Sequence, residues 1–113
     1  MKSVEDQYWH SGMHDAYVKK AERGFNVDKK QKYLKFFIDA SGAMYDMEVE
    51  SITFYKYKIL KGNYNLTGVF WMSDTLKNNG NKYILEIEYV MFNNDKDTMI
   101  IEFEQLEVSR IKW

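Results

Sequence analysis

The two histidines of the chain, His10 and His14, stand four residues apart and are the first candidates for chemistry. On a helix this spacing would place both imidazoles on one face, where Asp6 or Asp15 could add a carboxylate ligand for zinc or iron. The ligand set is incomplete, because the sequence has no third histidine and no cysteine, and Gly12 disfavours a helix between them. The alternative, in which His14 or Asp15 caps or hydrogen-bonds the first strand, is favoured. We therefore expect no cofactor, with His10 and His14 as the candidate ligands for a metal.

Four glutamates, Glu86, Glu88, Glu102 and Glu104, form the second candidate group. They fall on two predicted strands that the polar turn beginning at Asn93 would join, so all four could share one sheet face. A glycosidase would need carboxyl groups in distinct environments within a cleft, which the sequence does not indicate. Carboxylates that repel one another need solvent or a basic partner. The group is therefore either a solvated face, the commoner meaning, or an acidic docking surface for a positively charged protein.

The segment 19–35 is basic and carries interleaved aromatic residues. Such a pattern is typical of sheet platforms that bind single-stranded nucleic acid. Only one of its basic residues is arginine, no RNP-type motif is present, and the formal net charge of the chain is −1. A hairpin with solvated lysines is therefore the favoured interpretation, and nucleic-acid binding is the alternative. The basic residues are Lys19, Lys20, Arg23, Lys29, Lys30, Lys32 and Lys35.

The chain has three tryptophans and nine tyrosines, more than a small core needs. Some should be partly exposed, and exposed aromatic residues are preferred anchors of protein interfaces. We take Trp71 and Trp113 as the anchor candidates, although most of the aromatic residues are expected to form cross-strand pairs. No phosphate loop, nucleophile elbow, zinc-protease helix or calcium loop occurs in the sequence. We therefore predict a protein that is not an enzyme.

Alternation of apolar and polar residues predicts the strands that must position these groups. It is clear in the segments 33–39, 45–49, 83–91 and 99–103, and the segment 66–72 reads as a strand buried on both faces. The alternation changes phase near Phe54 and again near Gln105, which predicts a bulge or break at each point. Turn residues separate the strands, most clearly Asn78-Asn79-Gly80-Asn81 and the segment 93–97.

Residues 15–24 allow two interpretations. Asp15 could cap a short helix that Gly24 ends, or the segment could be a strand that pairs with residues 33–39 across residues 26–31. The strand is preferred, because a hairpin leaves fewer unpaired edges. The prediction is a mainly β fold, a single antiparallel sheet of about six or seven strands that forms a curled sheet, a sandwich or a partial barrel.

Composition bounds the remaining expectations. The chain has 113 residues, of which 45% are hydrophobic, so we expect one packed domain over residues 1–113. The absence of cysteine excludes disulfides and thiolate metal sites. No apolar stretch approaches the roughly 20 residues of a membrane span, and residues 1–10 lack the apolar core of a signal peptide. A cytoplasmic location is expected, and the oligomeric state is left open.

Short motifs in two regions resemble those of small bacterial proteins of unassigned function. The motifs are Tyr8-Trp9-His10, then His14-Asp15-Ala16-Tyr17-Val18, and the segments 34–42 and 45–60. Some of these proteins are similar to immunity proteins carried beside secreted or contact-dependent toxins. The resemblance implies an all-β domain and a protein-binding role, and it implies no particular site residues.

The leading functional hypothesis is an interaction or inhibitor protein that masks a basic toxin. Carboxylates at positions 86, 88, 102 and 104 would steer the target, and nearby aromatic residues would anchor it. Nuclease toxins are often basic because their substrates are polyanions. One alternative is a carrier of a small apolar ligand within the curled sheet, lined by Phe36, Tyr57, Phe70 and Tyr89. The other is binding of single-stranded nucleic acid through the segment 19–35.

Overall fold

A computed structural model describes residues 16–41 and 49–111 of the chain. These residues form eight antiparallel strands in one sheet. No helix long and apolar enough to cross a membrane occurs within these two ranges. The strands are β1 (Ala16–Asn26), β2 (Gln31–Asp39), β3 (Val49–Tyr55), β4 (Lys58–Lys61), β5 (Phe70–Asn79), β6 (Lys82–Val90), β7 (Lys96–Phe103) and β8 (Gln105–Arg110).

The sheet has the strand order β4-β7-β6-β5-β1-β2-β3-β8 and consists of two four-stranded halves. β1 and β5 join the halves through only two residue pairs, Ala16 with Trp71 and Tyr17 with Phe70. A β-bulge follows each of these positions, at Lys19 in β1 and at Met72 in β5. Bulges bend a strand and increase its twist, so the sheet can curl at this joint.

On the other side the halves are connected by the chain itself. Tyr55 of β3 pairs with Gln105 of β8, and Lys58 of β4 pairs with Glu102 of β7. The register is therefore the same on both sides of the break, so β4 continues β3 and β8 continues β7. At the break the amide of Glu104 donates to the carbonyl oxygen of Tyr55 at 3.2 Å. The sheet therefore curls so far that each of its edge strands, β4 and β8, lies on a chain segment that continues a strand of the opposite half.

The core lies inside this curl and is rich in aromatic residues. Edge-to-face rings link the two halves, with centroids 5.0 Å apart for Phe54 and Phe103 and 6.4 Å apart for Phe36 and Trp71, and Phe36 and Phe54 pack at 5.7 Å within one half. Such pairs contribute about 0.5–1.5 kcal/mol each beyond the area that they bury. Leu34, Phe36 and Ile38 share the buried face of β2, as the alternation predicted.

Several predictions about the elements are confirmed. Both predicted changes of phase occur, the first at Lys56, whose φ of 52° ends β3, and the second at Glu104, between β7 and β8. The two-residue turn Gly80-Asn81 joins β5 and β6, with Gly80 at a φ of 71°. β6 and β7 pair across the turn at residues 91–95. The fold is all-β within the described residues, as predicted.

The preferred interpretation of residues 16–24 as a strand is confirmed, because β1 pairs with β2 along its length. Two expectations are corrected. The sheet has eight strands instead of six or seven, since each break near Lys56 and Glu104 divides a long strand into two. Residues 66–69 form a loop with a turn at residues 67 and 68, and β5 begins only at Phe70, because Gly68 adopts a φ of 87°. The predicted strand 45–49 lies almost entirely outside the described residues.

Candidate functional site

The outer face of β1, β2, β3 and β8 presents side chains in regular cross-strand rows. The register of the three strand pairs places the residues that face away from the core directly opposite one another. The first row is Gly24, Tyr33, Tyr55 and Gln105; the second is Glu22, Lys35, Thr53 and Glu107; and the third is Lys20, Phe37, Ser51 and Ser109.

These rows contain a cleft of about 680 Å³. Its floor is formed by Ser51 and Thr53, whose short side chains are 4% and 7% exposed. They stand among the longer side chains of tyrosine, lysine and glutamate in the same rows, so the surface is lowest at the centre of β3. The cleft therefore results from the sizes of neighbouring residues on one sheet face.

One wall of the cleft is a chain of contacts through Tyr55. The Tyr55 hydroxyl donates to Oε2 of Glu107 at 2.6 Å. The Lys29 ammonium lies 3.6 Å from Oε1 of the same carboxylate and 4.7 Å from the centroid of the Tyr55 ring. Burial and the hydrogen bond to Glu107 raise the pKa of Tyr55 to about 12. Tyr55 is therefore a stable hydrogen-bond donor at neutral pH.

A second tyrosine–carboxylate pair lies beside the first. The Tyr33 hydroxyl donates to Oε2 of Glu22 at 3.3 Å, and its ring centroid is 6.4 Å from that of Tyr55. Burial raises the pKa of Tyr33, and the nearby charge of Glu22 adds to the effect. Gly24 makes this position possible, because a Cβ there would lie 2.6 Å from the Tyr33 hydroxyl. The ring thus lies across a strand position that only glycine leaves open.

The rim of the cleft is the tip of the β1–β2 hairpin. Phe25 and Val27 are 58% and 76% exposed and both line the cleft. The Asn26 side chain accepts a hydrogen bond from the amide of Lys29 at 3.0 Å, and Lys30 completes the turn with a φ of 52°. The amide of Lys56 donates to the carbonyl oxygen at position 32 at 3.2 Å. The hairpin is therefore hydrogen-bonded to the end of β3, while the apolar side chains at its tip are exposed to solvent.

The four predicted glutamates lie in the other half of the sheet. Glu86, Glu88 and Glu102 have the same parity on the paired strands β6 and β7 and face away from the core, and Glu104 is at the break before β8. Across the β6–β7 pair the register sets none of these three strand glutamates opposite another: their partners there are isoleucine and threonine residues. Glu88 accepts a hydrogen bond from the Ser73 hydroxyl at 3.2 Å.

Lysines moderate the charge of this surface. Lys82 forms an ion pair with Glu102 at 3.4 Å, and Lys58 lies opposite Glu102 on β4. Lys77, on the neighbouring strand β5, has the same outward parity. The surface is therefore a mixture of both signs of charge and not a patch of carboxylates alone.

The other predicted site residues have different positions. The structure corrects the prediction that Trp71 is a surface anchor. Trp71 is 0% exposed and its indole nitrogen donates to Asp74 at 2.7 Å, so it is a core residue. Trp113, His10 and His14 lie outside the described residues. Among residues 16–41 and 49–111, no group of three or more potential metal ligands occurs.

The residues of the two alternative sites, the apolar-ligand cavity and the basic segment 19–35, also have defined positions in the fold. Phe36 and Tyr89, which were expected to line a ligand cavity, are buried in the packed core, and Phe70 is instead 40% exposed on the outer surface. Rings about 5–6 Å apart already fill the part of the interior that Phe36 contacts. The segment 19–35 is the β1–β2 hairpin, and Lys20 and Lys35 lie over the Phe37 ring.

Sequence reasoning missed the cleft, although part of its signal was present. Tyr33 has outward parity in the predicted strand 33–39, and glycine opposite an aromatic residue is a known cross-strand pairing. Which strands are neighbours could not be read from the alternation. Comparison of the chain with protein-family models, curated proteins and solved structures finds no match.

Proposed function

We propose that this chain is a binding protein, of the inhibitor or immunity type, that contacts a partner protein with the tip of the β1–β2 hairpin and the cleft beside it on β2, β3 and β8. The observation that carries the proposal is the pair of exposed apolar side chains, Phe25 and Val27, at the edge of a cleft with a polar floor. Protein interfaces commonly combine a few apolar anchors with a depression that receives side chains of the partner.

The hairpin tip supports this proposal further. Apolar side chains exposed to solvent at a fixed position lose little entropy on binding, which favours association. Here the backbone hydrogen bond from Lys56 to the carbonyl oxygen at position 32 holds the hairpin against the end of β3. Phe25 and Val27 are therefore presented on a supported surface.

The test is affinity capture of partner proteins from cells that naturally produce this chain. The double variant Phe25→Ser, Val27→Ser removes both anchors, and Phe92→Ser is the matched control because Phe92 is 91% exposed in the β6–β7 turn. Loss of an interface anchor commonly weakens binding by 2 kcal/mol or more, which is about 30-fold. We expect a protein that the wild type and the control capture equally and the double variant loses. Equal capture by all three would exclude this face.

A second candidate surface is the group of glutamates on β6 and β7, which would steer a basic protein by long-range attraction. Its support is that Glu86, Glu88 and Glu102 face outward together, with Glu88 exposed. Replacement of Glu86, Glu88, Glu102 and Glu104 by glutamine should slow association several-fold at low salt without a matching change in dissociation. An unchanged association rate would remove this surface from consideration.

A further inference from the structure

We propose that the Tyr55–Glu107 pair is a binding site for the ammonium group of a partner protein's lysine, and that Lys29 fills this site in the free protein. This inference rests on the proposed function and adds the chemistry of the partner. Lys29 and Glu107 are 40% and 55% exposed as side chains, so their contact is open to solvent and can exchange. The position of the Lys29 ammonium shows where an incoming ammonium would lie.

The geometry is that of an ammonium site with two independent attractions. An aromatic face and a carboxylate both favour a cation, and Lys29 lies 4.7 Å from the ring centroid and 3.6 Å from Oε1. The surroundings are complementary to an added cation. Three carboxylates and two cationic side chains line the cleft, namely Glu22, Asp28 and Glu107 against Lys35 and Arg110. Displacing Lys29 would therefore leave the cleft with a surplus of negative charge.

The same contacts select lysine over arginine. A guanidinium binds a carboxylate best through two parallel hydrogen bonds, one to each oxygen. In this site Oε2 of Glu107 already accepts the 2.6 Å hydrogen bond from the Tyr55 hydroxyl. A second contact to Oε2 would compete with that hydroxyl, whereas the single point charge of an ammonium needs only Oε1.

The test measures binding of short peptides by NMR titration, without the partner protein. The probes are acetyl-Gly-Lys-Gly-amide, its arginine counterpart and its Nζ-acetyl-lysine counterpart. Lys29→Gln vacates the site, and Lys30→Gln is the matched control because it removes the same charge from the adjacent residue of the same turn. We expect Lys29→Gln to bind the lysine peptide about fivefold more tightly than the wild type or the control, as a surface ion pair of about 1 kcal/mol implies.

Further results separate this site from general electrostatics. The gain should be absent for the acetylated peptide, smaller for the arginine peptide, and abolished when Glu107→Gln is added to Lys29→Gln. Equal gains for Lys29→Gln and Lys30→Gln, or no gain in either, would overturn the ammonium site. If capture depends on Phe25 and Val27 but the peptide result is negative, the proposed function stands and this inference fails. The reverse combination would leave the ammonium site and remove the proposed interface.

Discussion

The hydrogen bond from Tyr55 to Glu107 gives a prediction whose size can be worked from the geometry. Tyr55→Phe removes the donor but keeps a ring in a position that is only 4% exposed, so no cavity is created. A hydrogen bond to a charged group contributes about 1.5–3 kcal/mol in general. Because the Glu107 side chain is 55% exposed and water competes for it, we expect about 1 kcal/mol here.

A double-mutant cycle in urea unfolding at pH 7 measures this energy. The variants are Tyr55→Phe, Glu107→Ala and the combination, and the coupling energy should be about 1 kcal/mol. The pair Tyr33–Glu22 is the internal control, because its hydrogen bond is longer, at 3.3 Å against 2.6 Å, and its coupling should be smaller. Additivity of the Tyr55 and Glu107 variants within roughly 0.3 kcal/mol would refute the interpretation of this wall of the cleft.

Other predictions concern backbone fit and pH. Gly24→Ala should destabilise the protein by about 1–3 kcal/mol in urea unfolding, because its Cβ would meet the Tyr33 ring, and the loss should shrink in a Tyr33→Ala background. Gly62→Ala should cost more than about 1 kcal/mol by the same assay, because φ is 85° and the new Cβ would lie 2.9 Å from a carbonyl oxygen of β7. Absorbance of the phenolate should show Tyr55 ionising near pH 12, and Glu107→Gln should lower that pKa. Since the pKa is raised from 10.0 in the folded protein, this contribution to stability is complete below pH 10 and disappears as pH rises to about 12.

Much of the fold follows from local patterns in the sequence. The alternation in β2 and β6 identifies the buried faces, because a strand packed on one side must place every second residue in the core. The β1–β2 hairpin and both phase changes were also predictable. At Lys56 the chain adopts a positive φ and shifts by one residue, which moves the apolar set of β4 back to the core side.

The order of the strands could not be predicted in the same way. The joint between the halves depends on two residue pairs of β1 and β5, and neither strand carries a sequence signal for the other. The cleft depends on that order, since its rows cross β1, β2, β3 and β8. Trp71 illustrates the same limit: both parities of residues 66–72 are apolar, so the sequence could not decide which side the indole would occupy.

The glutamates on β6 and β7 show why the alternation within one strand overestimates the net charge of a surface. Parity correctly placed Glu86, Glu88 and Glu102 on one face. The lysines beside them, at positions 58, 77 and 82, belong to other strands or to the strand end. How close these lysines come to the glutamates depends on the register between strands. The net charge of the surface therefore depends on the neighbouring strands as well as on β6 and β7.

The most direct test of the central claim is photo-crosslinking from the hairpin tip. Benzoylphenylalanine replaces Phe25 in one preparation and Phe92 in another, and each is irradiated in cells that naturally produce the protein. Both positions are exposed, at 58% and 91%, so access to the probe does not separate them. The account predicts a covalent adduct with a discrete protein from position 25 and none from position 92. An adduct from position 92 alone would contradict it.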